Sequence, residues 1–442
     1  MFNSNLNPLV RIAILISIFI ALAGFIADFR YTKEYGGVDL RNRVVGTRVA
    51  VELKQDPYYY KWTPEQSDRY LDPSDNAAIP VTRLTVTPAV IQLYSVFSSL
   101  PYSQIRYLWF FVQWACLIGS IILLAKISGD DIRARAYIWI LGLVGISGSM
   151  FWRLHAERGQ MYIIYVFLFC LALYWYKKYE NKPTVAAFPA ALIGSGLVLG
   201  YLISLRPTYV FSLIPILIYK KYKLASIITA GMLASVLLSS LISPVPLWKN
   251  YYESIQLQGA MRLDESINYR AYDTDIAEGI NLKKFLPVPG EDSSLQTIFR
   301  GIFNTWFTSS SLFILLVIFL GIISAGLAKF KIRQIGGLEL FFMASTLSFS
   351  SEFFIAASRW PYANVIWLIP LCIMLIEREK IISNTLVLTA YTLAAVGLLV
   401  NIGFHLIPRL TFAGDAGIPI ATLIFLLALI MQRSKEPTQI TI

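Results

Sequence analysis

Charge is scarce in this chain. Only 15% of its 442 residues are Asp, Glu, Lys or Arg, whereas 56% are hydrophobic. Soluble domains carry about 25% charged and about 45–50% apolar residues, so a water-soluble globule is excluded and a membrane protein is implied. Histidine is rarer still: His155 and His405 stand far apart and form no zinc-ligand spacing. The three cysteines, Cys116, Cys170 and Cys372, all fall inside apolar runs, so no disulfide framework holds the exposed segments. The sequence has no glycine-rich phosphate loop, internal repeat, heptad pattern, low-complexity tract or Asn-x-Ser/Thr acceptor. No cofactor and no metal are expected. The net charge of +11 lies largely in short basic clusters between apolar runs, which is a topology signal and not a nucleic-acid footprint.

What the chain has is apolar runs near the ~20 residues that cross a bilayer. They fall at about 9–27, 103–125, 136–152, 161–176, 184–204, 208–219, 224–244, 305–328, 338–356, 362–376, 381–403 and 415–431. The first mimics a signal peptide, with Arg11 near its start and Ala21-Leu22-Ala23 near its end, yet reads as a retained span. Twelve spans are expected, with eleven to thirteen allowed because 208–219 is short. One set of short loops is basic: Lys126/Arg133/Arg135, Lys177/Lys178/Lys182, Lys220/Lys221/Lys223, Lys329/Lys331/Arg333, Arg378/Lys380 and Arg433/Lys435. The positive-inside rule makes these loops and both termini cytoplasmic in a plasma (inner) membrane. The expected architecture is one all-α polytopic domain over 1–442.

Two long segments, 28–102 and 245–304, then fall outside the cell. In the first, Val38, Val45, Val49 and Leu53 share one helical face, and Arg41, Arg48, Glu52 and Gln55 another. That pattern predicts an amphipathic helix lying at the membrane surface. Thr87-Pro88 predicts a second short helix, ending before Pro101. The Gly129-Asp130-Asp131 turn on the cytoplasmic side reads as solvated.

Several charges converge on the outer side, at or near apolar segments, where they are costly unless paired or facing water. They are Asp28 and Asp39 after the first span, then Arg153, His155, Glu157 and Arg158 in "RLHAERGQ", Arg206 in "SLRP" and Arg359 in "SRWPY". Snorkelling or mutual pairing explains any one of them. Together, a carboxylate and several guanidinium groups suit a lipid phosphate, which arginine binds through two parallel hydrogen bonds. Asp39 has rival uses as a helix cap or an Arg43 partner, and Asp28 is a rival base. Trp360 and the Tyr58–Tyr60 run can stack on a sugar ring. Asp273-Thr274-Asp275 can hold a divalent cation or be an ordinary exposed acidic loop.

Quoted in order, these segments resemble the GT-C glycosyltransferases, most closely glycosyltransferase family 87, the polyprenol-phosphate-mannose-dependent mannosyltransferases of the bacterial envelope. "VDLRNRV" is similar to the family's V-D-L-x-V-Y segment and puts Asp39 on its catalytic aspartate, with "DPYYY" following. "VTPAVIQLYSVFSSLPYSQIRYLW" resembles Y-P-P…P-L…L-P…L-W. "RGQMYIIYVFLFCLALYW" resembles the G-Q-x-N region, giving Gln160 and placing Tyr162 where Asn is usual. "GYLISLRP" puts Arg206 where the family has lysine. "DSSLQTIFRGI" carries over Ser294 and Arg300. "AASRWPYANVIWLIPL" keeps Trp360 of the S-P-x-S-W-x-H-H segment, but Arg359 replaces a serine and Tyr362 and Ala363 replace both histidines, whose donor-binding role does not transfer.

The resemblance implies an inverting transfer of a hexose, mannose by analogy, from a polyprenyl-phosphate donor to a glycolipid or glycan acceptor among membrane lipids. Asp39 would be the general base. Arg206, Arg359, Arg158 and Arg300 would hold the donor phosphate, and Gln160, Trp360, Tyr362 and Ser294 the substrates. Two other classes fit a multispan chain: a transporter or flippase of lipid-linked saccharides, and an O-antigen polymerase or ligase. Transporters often show duplicated halves, and none is found here. A transferase needs the first outer loop to fold back and bring Asp39 near Arg206 and Arg359.

Overall fold

The computed structural model describes residues 6–34, 37–60, 67, 69–70, 84–181, 188–263, 294–305, 307–329, 335–355, 359–381, 385–401 and 408–433. Every regular element among them is helical. The first helix, α1 (Pro8–Tyr31), starts where Asn7 accepts a hydrogen bond from the Leu9 amide (2.9 Å) and proline occupies the first turn. Most of its large apolar side chains point outward: Leu9 and Phe19 are each 73% exposed. The Ser309–Lys329 helix does the same through Phe313 and Ile322. Two helices clothed in exposed apolar residues would aggregate in water, and bilayer hydrocarbon is the solvent that suits them.

Among the described residues, five helices are long and apolar enough to span a membrane: α1, Tyr102–Ile127 (α4), Tyr222–Ser240, Ser309–Lys329 and the Pro361–Arg378 stretch. A sixth candidate is broken. Ile132–Ile146 (α5) and Met150–Arg158 (α6) pass the same test together but meet at 62°. The break follows a π-helical stretch, Leu141–Ile146, where widened turns disrupt the regular ladder. Four shorter apolar helices join them, among them Pro189–Leu205 and Pro207–Ile218. The chain is thus a multi-pass helical membrane protein. The Gly337–Ser351 helix is buried along nearly its whole length and forms the centre of the packing.

The segment after α1 contains two helices at the expected places, α2 (Val38–Val51) and α3 (Pro88–Ser95), with Thr87 as the N-cap residue of the latter. The surface-lying amphipathic helix is corrected, however. From Arg43 to Ala50 every residue of α2 is buried in protein, while Val38, on the supposed apolar face, is exposed. Arg48 resides inside because carbonyl groups replace water around it: Nε donates to Ser98 O (2.8 Å) and Nη2 to Leu100 O (2.7 Å). Beyond the helix end, Glu52 accepts from Arg69 and from the Tyr70 hydroxyl (2.9 Å), tying the loop down.

The Asp131 turn is corrected too. Asp131 caps the helix after it by accepting from the Ala134 amide (2.9 Å) and pairs with Arg378 (2.9 Å). It joins two distant segments and is not simply solvated. The Asp273–Asp275 triplet lies outside the described residues.

Candidate active site

Asp39 sits in the first turn of α2, where the helix dipole favours a negative charge. Gly37 precedes the helix in the left-handed region (φ +59°), a conformation glycine adopts without strain. The Tyr102 hydroxyl fixes that turn by donating to Gly37 O (3.0 Å). Because glycine is the cap residue, the Asp39 side chain is not spent on capping. Nor does it pair with Arg43. Its Oδ2 accepts from Arg158 Nε (2.5 Å) and Gln160 Nε2 (2.6 Å), while Oδ1 accepts no bond among the described residues. The carboxylate is thus oriented through one oxygen, and the other remains able to take a proton.

Both donors come from the end of α6, and the turn that presents them is anchored. Gly159 ends α6 at φ +67°. Its carbonyl accepts from Arg43 Nη1 (2.9 Å) and Trp109 Nε1 (3.0 Å). Arg43 Nη2 also donates to Gln160 Oε1 (2.6 Å), which leaves the Gln160 NH2 facing Asp39 and assigns its amide orientation. Gln113 donates to Gln160 O (3.0 Å). A Cβ on Gly159 would stand 2.5 Å from Leu40 Cβ, so glycine is what lets α2 lie this close to α6.

From Asp39 the contacts run through aromatic rings to a second charged centre. The Arg158 guanidinium lies 5.6 Å from the Trp360 ring and 5.8 Å from Tyr362, geometry suited to cation–π attraction. Tyr362 meets Tyr162 at 5.7 Å, and Arg206 lies 5.3 Å from the Tyr162 ring. Arg206 Nε donates to Glu352 Oε1 (2.9 Å), which also accepts from the Thr208 hydroxyl (3.1 Å). Burial alone would disfavour the Arg206 cation. The groups around it, Glu352 foremost with Tyr162 and Tyr165, together outweigh that burial and hold the group's pKa well above the ordinary arginine value. Arg359 is buried beside the Phe353 ring (4.1 Å) and donates to Asn364 Oδ1 (2.6 Å).

The structure therefore brings Asp39, Arg158, Gln160, Trp360, Tyr362 and Arg206 into one chain of contacts. Arg206 reaches Asp39 through two tyrosines and not by touching it, and Arg359 adjoins the Glu352 turn through Phe353. Arg158 is committed to Asp39 through Nε. Ser294 and Arg300 belong to the neighbouring Leu295–Phe303 helix, which packs on Glu352–Phe354. Ser294 is buried with its hydroxyl against that of Thr297 (3.0 Å). His155 faces no cavity: it is buried, stacks on Trp152, and its Nε2 accepts from the Ile163 amide (3.2 Å).

Sequence reasoning missed Glu352. Its signal was available, a single carboxylate between "LSFSS" and "FF" near the end of an apolar run, since such a charge needs a partner.

Asp28 is held differently. Its Oδ2 accepts from the indoles of Trp152 (2.9 Å) and Trp114 (3.2 Å), which join α1, α4 and α6. Asp28→Asn keeps an acceptor for these indoles. It is expected to cost about 1 kcal/mol of stability in detergent melts and to leave transfer within about tenfold of wild type. A hundredfold loss with an unchanged melting point would instead make Asp28 the reacting carboxylate.

Comparison with known proteins bears on part of the chain. The family model of glycosyltransferase family 87 matches residues 85–275, which include Arg158, Gln160 and Arg206. That match, over less than half of the chain, is consistent with a GT-C superfamily membrane glycosyltransferase. No curated protein and no solved structure matches.

Proposed function

We propose that the protein transfers a hexose, mannose by family analogy, from a polyprenyl-phosphate donor to a glycolipid or glycan acceptor, with inversion at the anomeric carbon. The observation that carries this reading is the Asp39 carboxylate, clamped through Oδ2 with Oδ1 unengaged, at one end of an aromatic path leading to Arg206. In the reaction, the acceptor oxygen bonds to the sugar's anomeric carbon as its hydroxyl proton passes to Asp39. The bond from that carbon to phosphate oxygen breaks, and polyprenyl phosphate leaves with the electron pair. The base works on the acceptor and arginine on the departing phosphate, so an inverting displacement needs the two charge centres on opposite sides of the sugar. Tyr162, Tyr362 and Trp360 lie between them in the sequence of contacts, where a sugar ring can pack on aromatic faces.

In this reading Arg206 and Arg359 bind phosphate, while Arg158 and Gln160 orient the base. Arg300 and Ser294, at the helix that packs beside Glu352, would serve the same end. About twelve crossing segments with cytoplasmic termini would place the site on the extracytoplasmic face of the plasma membrane. A polyprenyl-phosphate sugar already carries its leaving group, so no nucleotide or metal is required. Arg206→Ala and Arg359→Ala are each expected to insert and to lower kcat/KM for the donor by about 10–150-fold, corresponding to about 1.5–3 kcal/mol for a charge-assisted bond to phosphate. Wild-type kinetics in both variants would reduce these arginines to packing and pairing roles.

A further inference from the structure

The Arg206–Glu352 pair has a directional feature that the phosphate-binding reading does not use. Glu352 is buried, with its side chain 2% exposed, whereas that of Arg206 is 32% exposed. The carboxylate engages Nε, on the inner edge of the guanidinium, and the Thr208 hydroxyl shares the same Oε1. Neither terminal nitrogen of Arg206 has a partner among the described residues. Nε is thus tied on one side, the Tyr162 ring covers the cation on another, and the two-pronged outer edge is left to a ligand. Oε2 of Glu352 is buried without a partner, so this carboxylate is sustained chiefly by Arg206 and Thr208.

We infer that Glu352 is a positioning residue, which aims the free edge of Arg206 at the leaving phosphate oxygen. The inference rests on the lipid-phosphate reading of the site. Its physical content is a trade between binding and rate. A carboxylate behind the arginine weakens the attraction for a ground-state phosphate, because the two anions repel through the shared cation. It strengthens alignment, which counts most when charge builds on the breaking bond. A residue serving only the packing of the Glu352–Phe354 turn would show neither tendency.

Glu352→Gln, nearly isosteric and able to accept the Nε bond without charge, separates the two effects. With the polyprenyl-phosphate hexose giving the highest wild-type rate as donor, kcat is expected to fall at least about tenfold while donor KM stays level or falls. In an Arg206→Ala background the same substitution is expected to cost nothing further, since the group it positions is gone. Glu352→Ala, checked for folding by its detergent melting curve, should repeat the kcat loss. Unchanged kcat in Glu352→Gln, a donor KM that rises as kcat falls, or a loss that multiplies with that of Arg206→Ala would each overturn the inference and leave the transferase reading intact. Failure of wild-type membranes to use any polyprenyl-phosphate sugar would defeat that reading and this inference together.

Discussion

Asp39→Asn is expected to insert and melt like wild type and to lose at least a hundredfold in transfer rate. Asparagine preserves size and an acceptor oxygen for Arg158 and Gln160, so the clamp at the α2–α6 junction survives. What disappears is a carboxylate able to take the acceptor's proton, and loss of a general base typically costs about 10²–10⁴-fold. Had Asp39 been only a cap or a surface ion pair, about 1 kcal/mol would be at stake and most activity would remain. The measurement is kcat in detergent or proteoliposomes, with donor binding followed separately. Near-normal turnover would remove Asp39 from the chemistry.

Gly159→Ala should have the second-largest effect, although Gly159 touches no substrate. Its φ of +67° costs an alanine about 1–2 kcal/mol, and the added Cβ would stand 2.5 Å from Leu40 Cβ. Relief requires α2 to move off α6 by a substantial fraction of an ångström, carrying Asp39 away from Arg158 and Gln160. Displacements near 1 Å can cost about a hundredfold in rate, and that order of loss is expected in kcat. Gly321→Ala, on the outward-facing Ser309–Lys329 helix with nothing within 4 Å of the new carbon, is the control and should leave activity unchanged. Equal tolerance at both positions would show that the α2–α6 contact does not set the position of Asp39.

Much of this candidate site was legible before the fold. Asp39, Arg158, Gln160, Arg206, Trp360 and Tyr362 were marked either by charge placed beside apolar runs or by likeness to the family's segments. Thr87-Pro88 announced α3 because a cap residue followed by proline is a local signal. The burial of α2 was not legible. Its helical pattern was, but whether Arg43 and Arg48 meet water or carbonyl groups depends on Gly159 and on residues 98–100, distant in sequence. The broken span was hidden for a related reason: in residues 136–152 only Ser147 and Ser149 interrupt the apolar run, and average hydropathy does not register the bend between Ile146 and Met150. Ser294 shows the opposite limit, since its family likeness gave no hint that its hydroxyl meets Thr297.

The most direct test of the central claim is sugar transfer by purified wild-type protein in proteoliposomes, comparing a panel of polyprenyl-phosphate hexoses with the corresponding nucleotide sugars. Transfer from at least one polyprenyl-phosphate donor, none from any nucleotide sugar, and an inverted linkage in the product are the predicted results. Transfer from nucleotide sugars, a retained anomeric configuration, or no transfer from the whole polyprenyl-phosphate panel would contradict it.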